Sequence, residues 1–166
     1  MQIATVANLV SAITVLTAVT LGSLQIRQMS KTRALFTSTE LVHAMLTPDF
    51  ARSVRVVLAL PDHADPALVG NNPDNLAAVL QLSHVFESIG VLVYYRILPL
   101  HLVDDLMGGY IRQAWRKVRP HVEVKRRELD TVSYAEWMQW LAERMDEHPS
   151  PGKTLGAHVA HRKWRP

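Results

Sequence analysis

A chain of 166 residues is long enough for one domain with a real core and one appendage. It contains no cysteine, which excludes disulfides, thiolate metal sites and thiol catalysis, and suits a reducing compartment. The formal charge of +3 is unevenly placed: four Lys and Arg and no acid follow Glu147, so the tail is basic and the body close to neutral.

From Met1 to Ile26 no side chain is charged, and Ile3 to Leu24 is largely Ala, Val, Leu, Ile and Thr. About 20 such residues at ~1.5 Å each span a hydrocarbon core of ~30 Å. Residues 1–26 therefore read as a single transmembrane anchor. A cleaved signal peptide would carry Lys or Arg before the run and a small-residue cleavage site after it, and neither is present. Arg27, Lys31 and Arg33 follow directly, so the positive-inside bias places the N-terminus outside and the rest in the cytoplasm, at the inner (plasma) membrane. At about 100° per residue, Ala4, Ala7, Ser11, Thr14, Ala18 and Gly22 fall within about 80° of one another. Small residues at that spacing permit the close backbone approach through which helices pair in lipid. The expected partners are the lipid bilayer and, through this face, a second copy or another membrane protein.

Residues 27–147 read as a small cytoplasmic all-α domain, a bundle of about five helices. No Pro or Gly interrupts residues 27–46, so the anchor is expected to continue as one long helix whose Leu35, Val42, Ala44 and Met45 meet the domain. Thr47-Pro48-Asp49 opens the next helix, with a capping hydroxyl, a proline suited to the first turn and an acid at the positive end of the dipole. Phe50, Val54, Val57 and Leu58 form its apolar face. Pro61–Pro73 reads as a loop, and Asn72-Pro73-Asp74 repeats the start signal. Leu76–Ile97 is then expected as the central helix: Ala77, Gln81, His84, Ser88 and Tyr95 make one narrow strip, and apolar residues such as Leu80, Phe86 and Leu92 cover most of the remaining circumference.

Pro99 opens a fourth helix bearing Val103, Leu106, Met107, Tyr110, Ala114 and Val118. Gly108-Gly109 falls in its middle, where close approach to another helix is the expected compensation and a kink the alternative. Pro120 is expected to bend or restart the chain. Ser133-Tyr134-Ala135-Glu136 has the pattern of a capping box and starts a last helix burying Trp137, Trp140, Leu141 and Met145. Residues 148–166 lack periodicity and read as a disordered basic tail.

Phe86-Glu87-Ser88-Ile89-Gly90-Val91-Leu92-Val93, then Ile97-Leu98-Pro99, Leu106-Met107-Gly108-Gly109 and Trp115, together with Leu46-Thr47-Pro48-Asp49-Phe50 upstream, resemble a bacterial family of membrane-anchored helical proteins catalogued as domain of unknown function 4760. The likeness covers roughly Arg33 to Arg144. It implies an anchor followed by a helical domain, and it carries no catalytic residues across.

The candidate chemistry is sparse. Glu87 lies beside Leu80, Ser83, Gly90 and Tyr94, off the polar strip, and a carboxylate there must be paired or neutralised. Arg52, Arg55, Arg112 and Arg116 are the candidate partners in a structural ion pair; an uncharacterised enzyme centred on Glu87 is the alternative. Only His158-x-x-His161 has metal-like spacing, and it lies in the tail, so no metal or other cofactor is expected. Asp104 and Asp105 are expected to be solvated in the first turns of their helix. Arg112, Arg116, Lys117, Arg119, Lys125, Arg126 and Arg127 form a basic cluster. They read either as a solvated face or, from Arg116 onward, as an anionic-lipid contact. No nucleic-acid motif accompanies them, so no such partner is expected. The reading is a single-pass membrane protein with a cytoplasmic helical binding or scaffolding module and no catalytic activity; an anionic-lipid-binding regulator is the alternative.

Overall fold

The computed structural model describes residues 14, 15, 17–23, 25, 43, 47–149 and 156–165. The chain divides into two compact units, Met1–Thr39 and Glu40–Pro166. The described residues of the first are helical, including the unbroken stretch 17–23. The rest of the expected anchor, and residues 27–42 and 44–46 of its continuation, lie outside the described residues.

The second unit is all-α: α1 Pro48–Ala59, α2 Pro66–Gly70, α3 Pro73–Tyr94, α4 Leu100–Glu128, α5 Glu136–Glu147 and the single turn α6 Ala157–Ala160. Four of these form a ring, with α3 and α4 on opposite sides and α1 and α5 each packed against both. The short α2 bridges α3 and α4. The enclosed core holds Val57, Leu82, Phe86, Leu98, Met107, Ile111, Met138, Leu141 and Met145, and Phe50 meets Phe86 edge to face with centroids 6.4 Å apart.

Helix starts follow local chemistry where the cap residue is adjacent. The Thr47 hydroxyl accepts from the Phe50 amide at 3.3 Å, and Asn72 Oδ1 accepts from Asp74 and Asn75 at 3.0 and 3.1 Å. Asp65 Oδ1 accepts from Ala67 at 2.8 Å, which starts α2 inside the segment that reads as a loop. These acceptors satisfy amides that the first helical turn leaves unpaired.

Several expectations change. The apolar stretch at Leu76–Ile97 becomes α3, which begins at Pro73, where the start signal lies, and ends at Tyr94, short of the expected Ile97. It is a ring member rather than a central helix. Its strip of Ala77, Gln81, His84 and Ser88 is exposed as expected, but so are Leu80 and Tyr94, because only two long neighbours cover it closely. Among the described residues α3 is also long and apolar enough to cross a membrane, a test that the core helix of a globular unit passes equally. In α4 the buried face is Val103, Met107, Ile111, Ala114, Val118 and Val122, while Leu106 and Tyr110 are exposed. Of the glycine pair in α4, Gly108 is buried and Gly109 faces open space; a tight helix approach occurs at Gly90, where an added Cβ would meet the Trp137 carbonyl oxygen at 2.7 Å. In the tail, residues 156–165 include one helical turn and are almost all exposed.

Pro120 neither ends nor restarts α4, which runs through it. A proline there removes the donor that would reach the Arg116 carbonyl. The His63 amide takes that carbonyl at 3.1 Å, and the Ala64 amide takes the Lys117 carbonyl at 3.1 Å. The loop after α1 thus docks on the gap in the α4 ladder. Lys117 Nζ fastens it by donating to the Leu60 carbonyl and pairing with Asp62 at 3.1 Å.

Candidate functional site

Glu87 sits where α3 crosses the start of α5. Its Oε1 accepts from the Met138 amide at 2.6 Å, and the Trp137 amide also donates to the carboxylate. This corrects the expected arginine pair. Among the described residues, the ion pairs of Arg112 and Arg116 go to other carboxylates, and Arg52 and Arg55 line a cleft between α1 and α3. It also corrects the capping box. Ala135 occupies the N-cap position with φ 56°, makes no side-chain cap bond, and leaves the α5 amides to a carboxylate from another helix. Burial pushes the Glu87 carboxyl above the usual carboxylate range, and the two amide bonds pull it part of the way back.

The other end of α5 is held in the complementary way. Arg112 Nη2 donates to the Met145 carbonyl at 2.6 Å, Nε to Asp146 at 2.7 Å and Nη1 to Asp104 at 2.6 Å. Asp104 is buried beneath this bridge, not solvated as expected, whereas Asp105 is exposed. Twelve residues of helix therefore carry a carboxylate at the positive end of their dipole and a guanidinium at the negative end, both supplied by other helices. Glu87, the one candidate for chemistry in the sequence, and Arg112, one of its candidate partners, act as end clamps.

The basic cluster is likewise engaged. Arg116 and Lys117 both pair with Asp62, whose carboxyl the Lys117 ammonium holds below its usual range. Arg119 pairs with Glu123 at 2.7 Å and Lys125 with Glu128 at 2.7 Å. Arg126 donates to the Tyr134 carbonyl and to Gln139, and Arg127 is exposed. These carboxylates neutralise much of the positive charge that a headgroup contact would draw on. Clefts open on the surface among the described residues. One, about 520 Å³, lies between α1 and α3 and is lined by Asp49, Arg52, Arg55, Asp74 and Gln81. Another, about 350 Å³, lies beside Trp115 among His63, Arg112, Arg116, Arg119, Glu143 and Asp146. Each mixes both signs of charge.

What the sequence reading did not single out is an aromatic surface at the same α3–α5 crossing. Tyr94 packs against Tyr95, Trp137 and Trp140 with centroids 5.2, 5.0 and 6.1 Å apart, and the two tryptophans lie 5.8 Å from each other. Tyr94 and Tyr95 are 54% and 67% exposed, and the tryptophans, expected to be buried, are only half-buried. Arg96 follows in the left-handed conformation, φ 57°, ending α3 and leaving Ile97 exposed. The spacing Trp137-x-x-Trp140 places both rings on one helix face and was the available signal. In the N-terminal unit, Thr14, Ala18 and Gly22 of the small-residue face are helical, and an added Cβ at Gly22 meets nothing within 4 Å. Ala7 and Ser11 lie outside the described residues.

Over residues 3–145 the chain matches a family model described as Domain of unknown function (DUF4760). No curated protein and no solved structure matches it.

Proposed function

That match spans most of the chain, and the chain belongs to the DUF4760 family; from this premise we propose that it is a single-pass, membrane-anchored helical module that binds a partner rather than transforming a substrate. The observation that carries the reading is the contrast at the α3–α5 crossing. Glu87, the best candidate for chemistry there, is occupied by the Met138 and Trp137 amides, while the adjoining Tyr94 and Tyr95 are exposed and Trp137 and Trp140 half-buried. Rings of this kind dominate contact surfaces because they bury much area at little conformational cost. The charge-free run before Arg27 supplies the anchor, and the Arg27, Lys31 and Arg33 flank sets the domain on the cytoplasmic side. The face of Ala7, Ser11, Thr14, Ala18 and Gly22 offers a second contact, to another copy or another membrane protein.

The test is photocross-linking of the full chain in intact cells, with a benzophenone amino acid at position 95 or, as a control, at exposed position 113. An adduct with protein or lipid that forms at 95 and not at 113 supports a binding surface. Equal capture at both positions, or none at 95, overturns it. Release of the parent by alkaline carbonate overturns the anchor separately.

A further inference from the structure

We infer that the aromatic surface of Tyr94, Tyr95, Trp137 and Trp140 docks on the headgroup layer of the bilayer that holds the chain. This deepens the binding reading above and rests on it, naming the partner of the same surface.

Three observations point to lipid. First, the rings carry polar tips on apolar bodies, the property that concentrates Tyr and Trp at membrane interfaces. Their mutual edge contacts at 5.0 to 6.1 Å present one continuous surface that is half-buried or exposed, and Ile97 extends it at 43% exposed. Second, Arg96 is exposed at the rim of the rings, and arginine there has donors for headgroup phosphate while its stem lies along apolar surface. The basic residues from Arg116 to Lys125, by contrast, are paired with the protein's own carboxylates. Third, the uncharged run Met1–Ile26 precedes the domain by only about 20 residues, so the tether keeps the domain at the membrane. A tethered surface meets its partner at high effective concentration, and a contact too weak to recruit a free domain then suffices.

The surface is also built to stay presented. Gly90 lets α5 lie against α3 where a side chain would strike the Trp137 backbone, and Glu87 holds the Trp137 and Met138 amides. The ring-bearing turn of α5 is thereby locked to the ring-bearing end of α3. A soft surface loses more freedom on binding, so this rigidity favours contact.

The experiment uses the full chain reconstituted into vesicles of neutral phosphatidylcholine, with and without bromine on the upper acyl carbons. Tryptophan emission is read in a Trp164→Phe background, which removes the exposed tail ring; Trp115 stays shielded inside the domain. Brominated lipid should quench the emission, and adding Trp137→Phe and Trp140→Phe should abolish the quenching with the helical circular dichroism retained. Tyr95→Ser, at a position too exposed to serve the core, should weaken it. Quenching that survives loss of both tryptophans, or no quenching in the background protein, overturns the proposal. So does a second protein cross-linked to position 95 in place of lipid. Carbonate extraction of the same vesicles reads the anchor independently. Quenching that depends on Trp137 and Trp140 in a carbonate-released chain supports lipid docking and refutes anchoring, whereas retention without quenching does the reverse.

Discussion

The Glu87 carboxylate on α3 accepts the Met138 amide of α5 at 2.6 Å, across 51 residues of chain. Removing it leaves the first turn of α5 without its side-chain acceptor, since Ala135 supplies none. Glu87→Ala should cost about 0.5–2 kcal/mol, the range of a lost helix cap, and not the larger penalty of stranding a buried arginine. Glu87→Gln keeps an acceptor oxygen and should lie between alanine and the parent. Urea denaturation of the three proteins decides it, and identical midpoints would refute the cap.

The two glycines Gly90 and Gly109 should respond to alanine with opposite signs. At Gly90 the new Cβ lies 2.7 Å from the Trp137 carbonyl oxygen, so α3 and α5 must move apart; overpacking of this kind costs about 1–3 kcal/mol. At Gly109 nothing lies within 4 Å, and the helix gains up to about 1 kcal/mol from the better helix former. Thermal unfolding of both variants checks the pair, and stabilisation by Gly90→Ala would contradict the packing described.

Pro120 interrupts the α4 ladder where the His63 amide already satisfies the Arg116 carbonyl. Pro120→Ala should therefore gain well under the ~3 kcal/mol that a helix-interior proline ordinarily costs. The restored amide would compete with His63, so hydrogen exchange at the His63 amide should accelerate. Unchanged protection at His63 would show that the loop is held by Lys117 and Asp62 alone.

His121 should make stability fall in mild acid. One ring nitrogen is bonded to the Pro66 carbonyl, while Nε2 is buried with no partner among the described residues. Burial holds the imidazole below its usual 6.5, and the Pro66 bond pulls it partly back. As pH falls, the unfolded chain takes up the proton first. The contribution of the neutral ring is complete above 6.5 and is lost progressively as pH falls below it toward the folded-state value. Urea midpoints measured across that window should decline, and His121→Leu should remove this part of the slope. A slope unchanged by the substitution would assign the effect to other groups.

The proposed anchor makes its own prediction, drawn from the Met1–Ile26 run and the basic flank after it. A C-terminal tag should survive protease added to intact cells and be digested once they are opened. Digestion in intact cells would reverse the orientation.

The sequence by itself determined the helical class and the starts of α1 and α3. Each of these rests on interactions within a few residues, such as Thr47 with Phe50, or Asn72 with Asp74 and Asn75. Capping oxygens and prolines act over one turn, so their spacing is legible in one dimension. It also showed that Glu87 needed a partner, because a carboxylate on an apolar face is costly alone. Which partner was not legible. Arginines on neighbouring helices were chemically suitable, yet the α5 amides won because α5 crosses α3 at Gly90, and that crossing is a property of the assembled ring. The same holds for Asp104, buried by Arg112, and for Pro120, whose break is filled by a loop 57 residues away. The half-buried tryptophans belong with them: an i,i+3 aromatic pair reads as core, and how far it is covered depends on the helix it meets. Local bonds are specified by neighbours along the chain, whereas burial and pairing between helices depend on how their surfaces meet, and only the tertiary structure decides that.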